Sequence, residues 1–401
     1  MRNRLTDQFH MNPAAPEHEP LDYGGHEETR KVILDCSLGV NPAGPEEAVA
    51  EAAAGCGRDA LRALIGEYPH DDSVKEALAA WFQSQRPGRE WLTGSSFVMG
   101  NGSYGILCAL NELFLGPGRK VLGCGPQFTA YIDSAVYSGA AYDAVLLKAE
   151  SGYRFDGEAY RKAMTAEYDL FILENPNNPT GQAVAPDEIA KIADKARELK
   201  RVLVVDEAYA DYLSPYETAL DLLPAHDNII VTRSFSKGFG MAGIRLGYAV
   251  TAPGSGIAKE LEKAALPFQC NNFARYLAKA ALKAKTGKDD PFGAEKNRRM
   301  KEVLKECLDA CAADAGKRLS MAETSPAVPI FMLYVKDQES PAGSGNENTD
   351  LYELFMEEGI LTVSCETYPG LGKHAVRLML PSEESFPVLL DAVKSVAAKQ
   401  G

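Results

Sequence analysis

Short apolar runs alternate with longer amphipathic stretches through the middle of the chain. The runs have the length and near-continuous hydrophobicity of strands buried on both faces: Ser96–Met99, Lys120–Cys124, Asp143–Leu147, Asp169–Leu173, Arg201–Asp206, Ile229–Arg233 and Ile244–Val250. Helical spacing follows several of them, as in Ile106–Leu115 and Pro186–Leu199. Because parallel strands need crossover helices, this alternation predicts an α/β fold whose mostly parallel, seven-stranded sheet lies between helices.

The pattern changes after about Pro267. Long helical patterns are followed by short strands and a closing helix: Asn271–Lys285, Gly293–Cys311, Ile330–Val335, Ile360–Ser364, Ala375–Leu380 and Glu383–Lys399. A Gly/Ser/Asn-rich stretch, Gln338–Thr349, interrupts them and predicts a surface loop. We expect the 401 residues to divide into a large domain at 49–267 and a smaller α+β domain formed by 1–48 and 268–401.

Composition narrows the classes of partner. The chain is 45% hydrophobic and 24% charged, as in an ordinary globular protein, and its net charge of −14 disfavours nonspecific nucleic-acid binding. No apolar run approaches the length of a membrane span, and the polar segment Met1–Glu28 lacks the apolar core of a signal peptide. We expect a small-molecule substrate, with neither nucleic acid nor a membrane as a partner.

Metal and disulfide chemistry have weak support. The eight cysteines are scattered without a C-x-x-C pair, and Cys307 and Cys311 lie among apolar residues of a helical pattern. His10, His18 and His26 could bind a metal, but a solvated N-terminal arm explains them better. The sequence predicts no metal site, and its free thiols fit a reducing cytoplasm.

Two loops that follow predicted strands have the residues of ligand-binding turns. Gly100–Gly105 opens a helix, where glycines let the backbone approach an anion and free N–H groups bind phosphate. Its glycine spacing differs from that of a dinucleotide-binding fingerprint, and a simple turn is the alternative. Asn175–Gly181 lies at the carboxyl end of a strand, where α/β sheets usually bind ligands, although it too could be only a turn.

Two further segments place ionisable groups at strand ends. Asp206 ends an apolar strand, so its carboxylate needs a cation or hydrogen bonds, and Tyr209 follows it closely. Lys237 follows another strand, and lysine amines form Schiff bases with aldehydes. Its sequence neighbours supply the groups of a phosphate clamp: Ser234, Ser236 and Arg245.

Each of these features alone has an ordinary structural explanation. Together they supply a phosphate cradle, an acid for a ring nitrogen, polar groups for a phenolate and a lysine for an aldehyde. These are the requirements of one ligand, pyridoxal 5'-phosphate (PLP). The sequence therefore predicts a PLP-dependent enzyme.

The same motifs, in the same order, carry a family resemblance. The strings N-P-N-N-P-T-G, D-E-A-Y and S-x-S-K-x-x-x-x-x-G-x-R-x-G resemble those of the fold-type I, PLP-dependent class I/II aminotransferases, above all the histidinol-phosphate aminotransferase branch. The resemblance extends from about Asp35 to the C-terminus. It implies the fold-type I architecture and a PLP-dependent aminotransferase that acts on an L-amino acid or an amino-acid phosphate.

The resemblance also implies roles for individual residues around the cofactor. Lys237 would form the Schiff base with PLP, and Asp206 would pair with the pyridine nitrogen. Asn178 and Tyr209 would bind the 3'-oxygen, and Phe128 would stack on the ring. The phosphate group would be surrounded by Gly102, Ser103, Tyr104, Ser234, Ser236 and Arg245.

Other matched positions concern the substrate and a second subunit. Arg377 matches the arginine that binds the substrate α-carboxylate, and Asn41, like Asn178, matches a substrate-side position. Tyr68 matches a tyrosine that crosses a homodimer interface to the partner's phosphate site. The resemblance thus implies a homodimer whose subunits share active-site residues.

Departures from the histidinol-phosphate branch leave the reaction open. Thr362 occupies the position of an arginine that binds the substrate phosphate, and Val40 replaces an acidic residue. Tyr368–Leu371 is similar to a stretch in threonine-phosphate decarboxylases, so a PLP-dependent lyase, decarboxylating or β/γ-eliminating, is the alternative. A cofactor-binding regulator is a third hypothesis, but neither terminus has the basic helix-turn-helix pattern expected of one.

Overall fold

The computed structural model describes residues 30–70, 72–311, 317–337 and 349–399. Its strands are β1 (Leu34–Asp35), β2 (Phe97–Gly100), β3 (Lys120–Gly125), β4 (Ala141–Leu146), β5 (Leu170–Glu174), β6 (Val202–Asp206), β7 (Ile229–Ser234), β8 (Gly247–Thr251), β9 (Lys317–Met321), β10 (Ile330–Asp337), β11 (Ile360–Leu361), β12 (Val363–Ser364) and β13 (Ala375–Met379). Its α-helices are α1 (Glu47–Ala54), α2 (Arg58–Gly66), α3 (Ser73–Gln85), α4 (Gly102–Phe114), α5 (Thr129–Tyr137), α6 (Gly157–Ala163), α7 (Pro186–Glu198), α8 (Ile257–Ala264), α9 (Asn272–Lys285), α10 (Ala294–Cys311), α11 (Leu351–Glu357) and α12 (Phe386–Ala398).

The larger sheet has seven strands within the described ranges, in the order β2-β8-β7-β6-β5-β3-β4. Neighbouring strands run parallel, except that β8 is antiparallel to β2 and β7. The predicted mostly parallel sheet is therefore confirmed. Parallel order places the carboxyl ends of β3, β5, β6 and β7 at one edge, and this edge carries the polar motifs of the sequence.

Helices cover both faces of this sheet, because its strands are apolar on both sides. In β5, Phe171 and Leu173 belong to one hydrophobic cluster, whereas Leu170 and Ile172 belong to another. Adjacent side chains of a strand point to opposite faces, so each cluster packs one face against helices. The nearly continuous hydrophobicity of these strands thus has a direct structural cause.

Some boundaries differ from the sequence prediction. The strand predicted at Ile244–Val250 begins only at Gly247, because Ala242–Ile244 forms a 3-10 turn and Arg245 has a left-handed φ of 53°. Helix α4 begins at Gly102, earlier than predicted, directly after β2. Helix α7 begins at Pro186 as predicted.

A second, antiparallel sheet has the order β12-β13-β10-β9 in the described part of the chain. It packs with α10, α11 and α12 around a separate hydrophobic cluster that includes Phe331, Leu378 and Val393. The strand predicted at Ile360–Ser364 is divided, because β11 pairs with β1 and β12 pairs with β13. Most of the predicted loop Gln338–Thr349 and the arm with His10, His18 and His26 lie outside the described residues.

Membrane-spanning helices and metal-binding clusters are both absent from residues 30–70, 72–311, 317–337 and 349–399. There, no α-helix has the length and apolar composition needed to cross a membrane. No group of His, Cys, Asp and Glu side chains in these ranges has an arrangement that could hold a metal ion. All eight cysteines lie in described segments and are free thiols.

Candidate active site

A cavity of about 700 Å³ opens at the carboxyl ends of β5, β6 and β7. This is where ligands bind in open α/β sheets, because connecting loops diverge there and leave a crevice. Glu174, Asp206 and Ser234 end these strands and line the cavity. Its other lining residues are Leu38, Gly39, Val40, Ser103, Tyr104, Phe128, Ala130, Asp133, Tyr137, Pro176, Asn178, Ala208, Tyr209, Ser236, Lys237, Ala242, Arg245 and Arg377.

Lys237 lies just beyond β7, with its amine against the Tyr209 ring. Its Nζ is 5.1 Å from the centre of that ring. Gly39 approaches both groups so closely that a Cβ there would overlap the Tyr209 hydroxyl and lie 3.0 Å from Lys237 Nζ. A glycine at this position therefore keeps the space around the lysine amine open.

Asp206 is buried at the end of β6. Its Oδ1 accepts hydrogen bonds from Thr232 Oγ1 at 2.8 Å and from the Ala208 N–H at 3.2 Å. Burial raises the pKa of this carboxyl to about 6, although these hydrogen bonds favour the ionised form. A cationic ring N–H in the cavity would offset the cost of burying the carboxylate.

Asn178 and Tyr209 carry polar atoms that lack a protein partner. Both side chains are buried and line the cavity, and neither Asn178 Oδ1 nor the Tyr209 hydroxyl has a hydrogen-bond partner among the described residues. Leaving such an atom unsatisfied costs about 1–3 kcal/mol. The Tyr209 hydroxyl can donate a hydrogen bond to an acceptor of a ligand, such as the 3'-oxygen of PLP, and Asn178 Oδ1 can accept one from a ligand donor.

Another part of the cavity wall carries groups that bind anions. Ser103 and Tyr104 lie in the first turn of α4, whose free N–H groups attract negative charge. Arg245 Nη1 lies 3.4 Å from Ser236 Oγ, and a Cβ at Gly102 would lie 2.7 Å from Arg245 Nη2. The left-handed backbone of Arg245 is a costly conformation for a non-glycine residue, of the kind that functional sites retain.

Phe128 and Arg377 complete two further walls. Phe128 precedes α5, and its ring lies 6.3 Å from that of Tyr104 in an edge-on arrangement. Arg377 comes from β13 of the smaller sheet, is buried, and donates an Nη2 hydrogen bond to the Ser37 carbonyl. The cavity is thus lined by residues from both sheets, and Arg377 is contributed by the smaller one.

Three sequence-predicted residues lie apart from the cavity lining. The Asn41 side-chain amide donates a hydrogen bond to the Gly238 carbonyl at 3.1 Å, so Asn41 stabilises the loop that carries Lys237 (the lysine loop). Tyr68 is 69% exposed and packs on Phe268, with ring centres 4.6 Å apart. Gly102 lies behind the lining, beside Arg245. Thr362, at the position of the absent arginine, is buried outside the cavity, whereas Val40 lines it.

Sequence reasoning missed several lining residues. Glu174 is a buried carboxylate at a strand end, the same signal that identified Asp206, and it directly precedes the Asn175–Gly181 loop. Asp133 and Tyr137 reach the cavity from one face of α5, which no local motif indicates.

Comparison with known proteins agrees with this geometry. A family model described as aminotransferase class I and II matches residues 31–393. The chain belongs to this family. A histidinol-phosphate aminotransferase of Chromobacterium violaceum is 31% identical over 333 residues, which cover 82% of this chain and 83% of that protein. Another, from Chlorobium luteolum, is 37% identical over 186 residues, or 46% of this chain and 50% of that protein.

A solved structure confirms the fold of this aminotransferase. The histidinol-phosphate aminotransferase of Sinorhizobium meliloti, determined in complex with pyridoxal-5'-phosphate, superposes with a TM-score of 0.73 at 20% identity and covers 93% of each chain. The architecture is that of the fold-type I aminotransferases. The chain is a PLP-dependent aminotransferase, and the comparisons do not favour the lyase alternative.

Proposed function

We propose that the cavity holds PLP through the residues that the sequence singled out. Lys237 would hold the cofactor covalently, Asp206 would pair with the pyridine nitrogen, and Phe128 would cover the ring. The phosphate would bind Gly102, Ser103, Tyr104, Ser234, Ser236 and Arg245. The proposal rests on one observation: the buried side-chain oxygens of Asn178 and Tyr209 have no hydrogen-bond partner among the described residues, so a polar ligand can bind them.

The side chains of the protein would supply the other catalytic functions. PLP, when bound, supplies an electron sink for charge that develops at the substrate α-carbon. Asp206 keeps the ring nitrogen protonated, which strengthens that sink. The Lys237 amine would move the α-proton, and the Tyr209 ring, whose centre lies 5.1 Å from Lys237 Nζ, borders that amine.

The substrate is proposed to be an L-amino acid or an amino-acid phosphate. Arg377, which lines the cavity, would bind its α-carboxylate, because a guanidinium matches a carboxylate with paired hydrogen bonds. The curated relatives reported above are named for histidinol phosphate, which supports a phosphorylated substrate. Asn178 would contact the substrate as well as the cofactor, and Asn41 would act indirectly, through the lysine loop.

A substrate panel tests the reaction. Purified enzyme is mixed with histidinol phosphate and with a range of L-amino acids, first without and then with 2-oxoglutarate. Transamination gives a single half-turnover without the keto acid and sustained turnover with it. Sustained release of carbon dioxide or ammonia without a keto acid would contradict transamination. Lys237→Ala serves as the control and should lose at least about 10³-fold of the activity.

The domain division is also a proposal: a PLP-binding domain at 49–267 and a small domain formed by 1–48 and 268–401. It is supported by the hydrophobic cluster of the smaller sheet, which joins Cys36 to residues between Met300 and Val396. Arg377 would then bring the small domain to the substrate.

We propose further that the enzyme is a cytoplasmic homodimer. The free thiols support a reducing compartment. Helix α2 has no buried residue, and it carries Ile65, which is 74% exposed, close in sequence to Tyr68. Exposed apolar side chains in such a group favour coverage by a second copy. In that dimer, Tyr68 would reach the partner's phosphate site.

A further inference from the structure

Glu174 is a buried carboxylate in the cavity that has no role in the proposal above. It ends β5 and is the register partner of Asp206 on β6, so both side chains point to the same face of the sheet. A buried carboxylate is costly unless hydrogen-bond donors surround it. The groups that donate hydrogen bonds to Glu174 therefore indicate which parts of the protein this carboxyl group holds together.

The carboxylate joins two loops that are distant in sequence. Glu174 Oε1 accepts the Phe128 N–H at 2.9 Å. Glu174 Oε2 accepts the Asn178 N–H at 3.0 Å and Asn177 Nδ2 at 3.1 Å. Asn177 Nδ2 also donates to the Pro126 carbonyl at 2.9 Å, which adds a second link between the same loops.

The residues at the ends of these links face the cavity. Phe128 and Asn178 both line it, and they approach from different strands. Burial, followed by the nearby Asp206 carboxylate, raises the pKa of Glu174, and the N–H donors oppose this by favouring the ionised form. No cation pairs with Glu174 in the described hydrogen-bond network, so the groups that hold its carboxyl oxygens in place are these three N–H donors.

We propose that Glu174 is a positioning residue that fixes Phe128 and Asn178 relative to each other around the cofactor ring. This inference rests on the proposed roles of these two residues. One rigid acceptor ties the residue that covers the ring to the residue that binds its 3'-oxygen. The geometry of both contacts is then set before the ligand enters, which reduces the ordering cost of binding.

Two variants separate the paired acceptor oxygens of Glu174 from the length of its side chain. Glu174→Gln keeps the length but turns one acceptor into a donor that faces an N–H group. Glu174→Asp keeps the carboxyl group but is one methylene shorter, so it cannot reach both amides. If the glutamine variant does not fold, the aspartate variant carries the test.

The matched control is Asp169→Asn. Asp169 immediately precedes β5, at the opposite end of that strand from Glu174. It accepts the Lys120 N–H at 3.0 Å and Arg119 Nη1 at 2.6 Å, so it also links β5 to β3. This variant weakens the same strand pair without touching the cavity.

Three measurements test the effect of the Glu174 variants on the two loops and on PLP binding. In the holoenzyme, hydrogen–deuterium exchange should accelerate about tenfold in both loops, 126–128 and 175–181, for either Glu174 variant. The Kd for PLP should rise about tenfold, as expected for the loss of one buried hydrogen bond. The pH midpoint of the PLP absorption band should also move, because Asn178 contacts the ionisable 3'-oxygen.

The control decides between positioning and simple stabilisation. If both Glu174 variants keep the wild-type Kd and pH midpoint, or change them no more than Asp169→Asn does, the inference is wrong. If wild-type protein itself fails to bind PLP, the proposed function fails instead. The two failures are therefore distinguishable.

Discussion

At the scale of single residues, the site depends on polar atoms that the fold leaves for a ligand. Asn178 Oδ1 and the Tyr209 hydroxyl have no partner in the described chain, and Gly39 leaves space above the Lys237 amine. A stability-optimised protein would satisfy such atoms internally. Their cost is consistent with a ligand that supplies the missing hydrogen bonds.

Asp206 gives a pH dependence with a definite sign. Its pKa of about 6 in the unliganded protein means that it is a carboxylate above that pH and a neutral acid below it. Only the carboxylate stabilises a protonated pyridine ring, so PLP affinity should fall as the pH drops through about 6.

The measurement is the Kd for PLP between about pH 5 and 8, compared with that of Asp206→Asn. The phosphate of PLP also titrates near pH 6, and it contributes equally to both proteins. The component that belongs to Asp206 is the difference between the two curves. Parallel curves would show that this carboxyl does not titrate with PLP binding.

At the scale of elements, the close approach of β8 to the start of α4 forms the part of the cavity that we propose for the phosphate. A Cβ at Gly247 would overlap the backbone at Gly102 and Ser103. Arg245 lies two residues before Gly247, so the same contact brings the arginine to the free N–H groups of the helix. The first turn of α4 therefore depends on a glycine in a neighbouring strand.

Gly247→Ala should separate these two elements. Overpacking of this kind costs about 1–3 kcal/mol, and the displaced helix start should also weaken PLP binding. Urea unfolding gives the free energy of unfolding, and absorbance titration gives the Kd. Gly243→Ala is the matched control, because a Cβ there meets open space. Equal behaviour of the two variants would contradict a role for this close approach.

At the scale of the whole molecule, several large apolar side chains of the described residues are exposed near Tyr68. Ile65 on α2 is 74% exposed. Tyr68, Leu266 and Phe268 are also more than half exposed, and the rings of Tyr68 and Phe268 are in contact. The proposed homodimer would cover this group and use Tyr68 in the partner's site.

Ile65→Asp should therefore produce a monomer with weakened PLP binding, because a buried charge at an interface is costly. Sedimentation velocity and the Kd for PLP measure the two effects. Val303→Asp, on an exposed apolar position of α10, is the control and should leave the sedimentation coefficient unchanged. A wild-type protein that sediments as a fully active monomer would rule out the shared site.

Much of this picture could be predicted from the sequence. Continuous apolar runs and period-3.6 patterns are local, so they predicted the parallel sheet and several of the helices. Lys237, Asp206 and Arg245 stand in short motifs at strand ends, where function and local pattern coincide. The predicted start of β8 was wrong, because the 3-10 turn and the left-handed Arg245 follow from contacts with α4 that local propensity does not encode.

By itself, the sequence determined the fold class, the family and the cofactor, because each depends on residue types at fixed local spacings. Only the tertiary structure decided which distant residues meet. It placed Glu174 between the Phe128 and Asn178 amides, gave Asn41 the Gly238 carbonyl as a partner, and put Thr362 outside the cavity. The Glu174–Phe128 and Asn41–Gly238 contacts join segments tens to hundreds of residues apart, and no local periodicity records them.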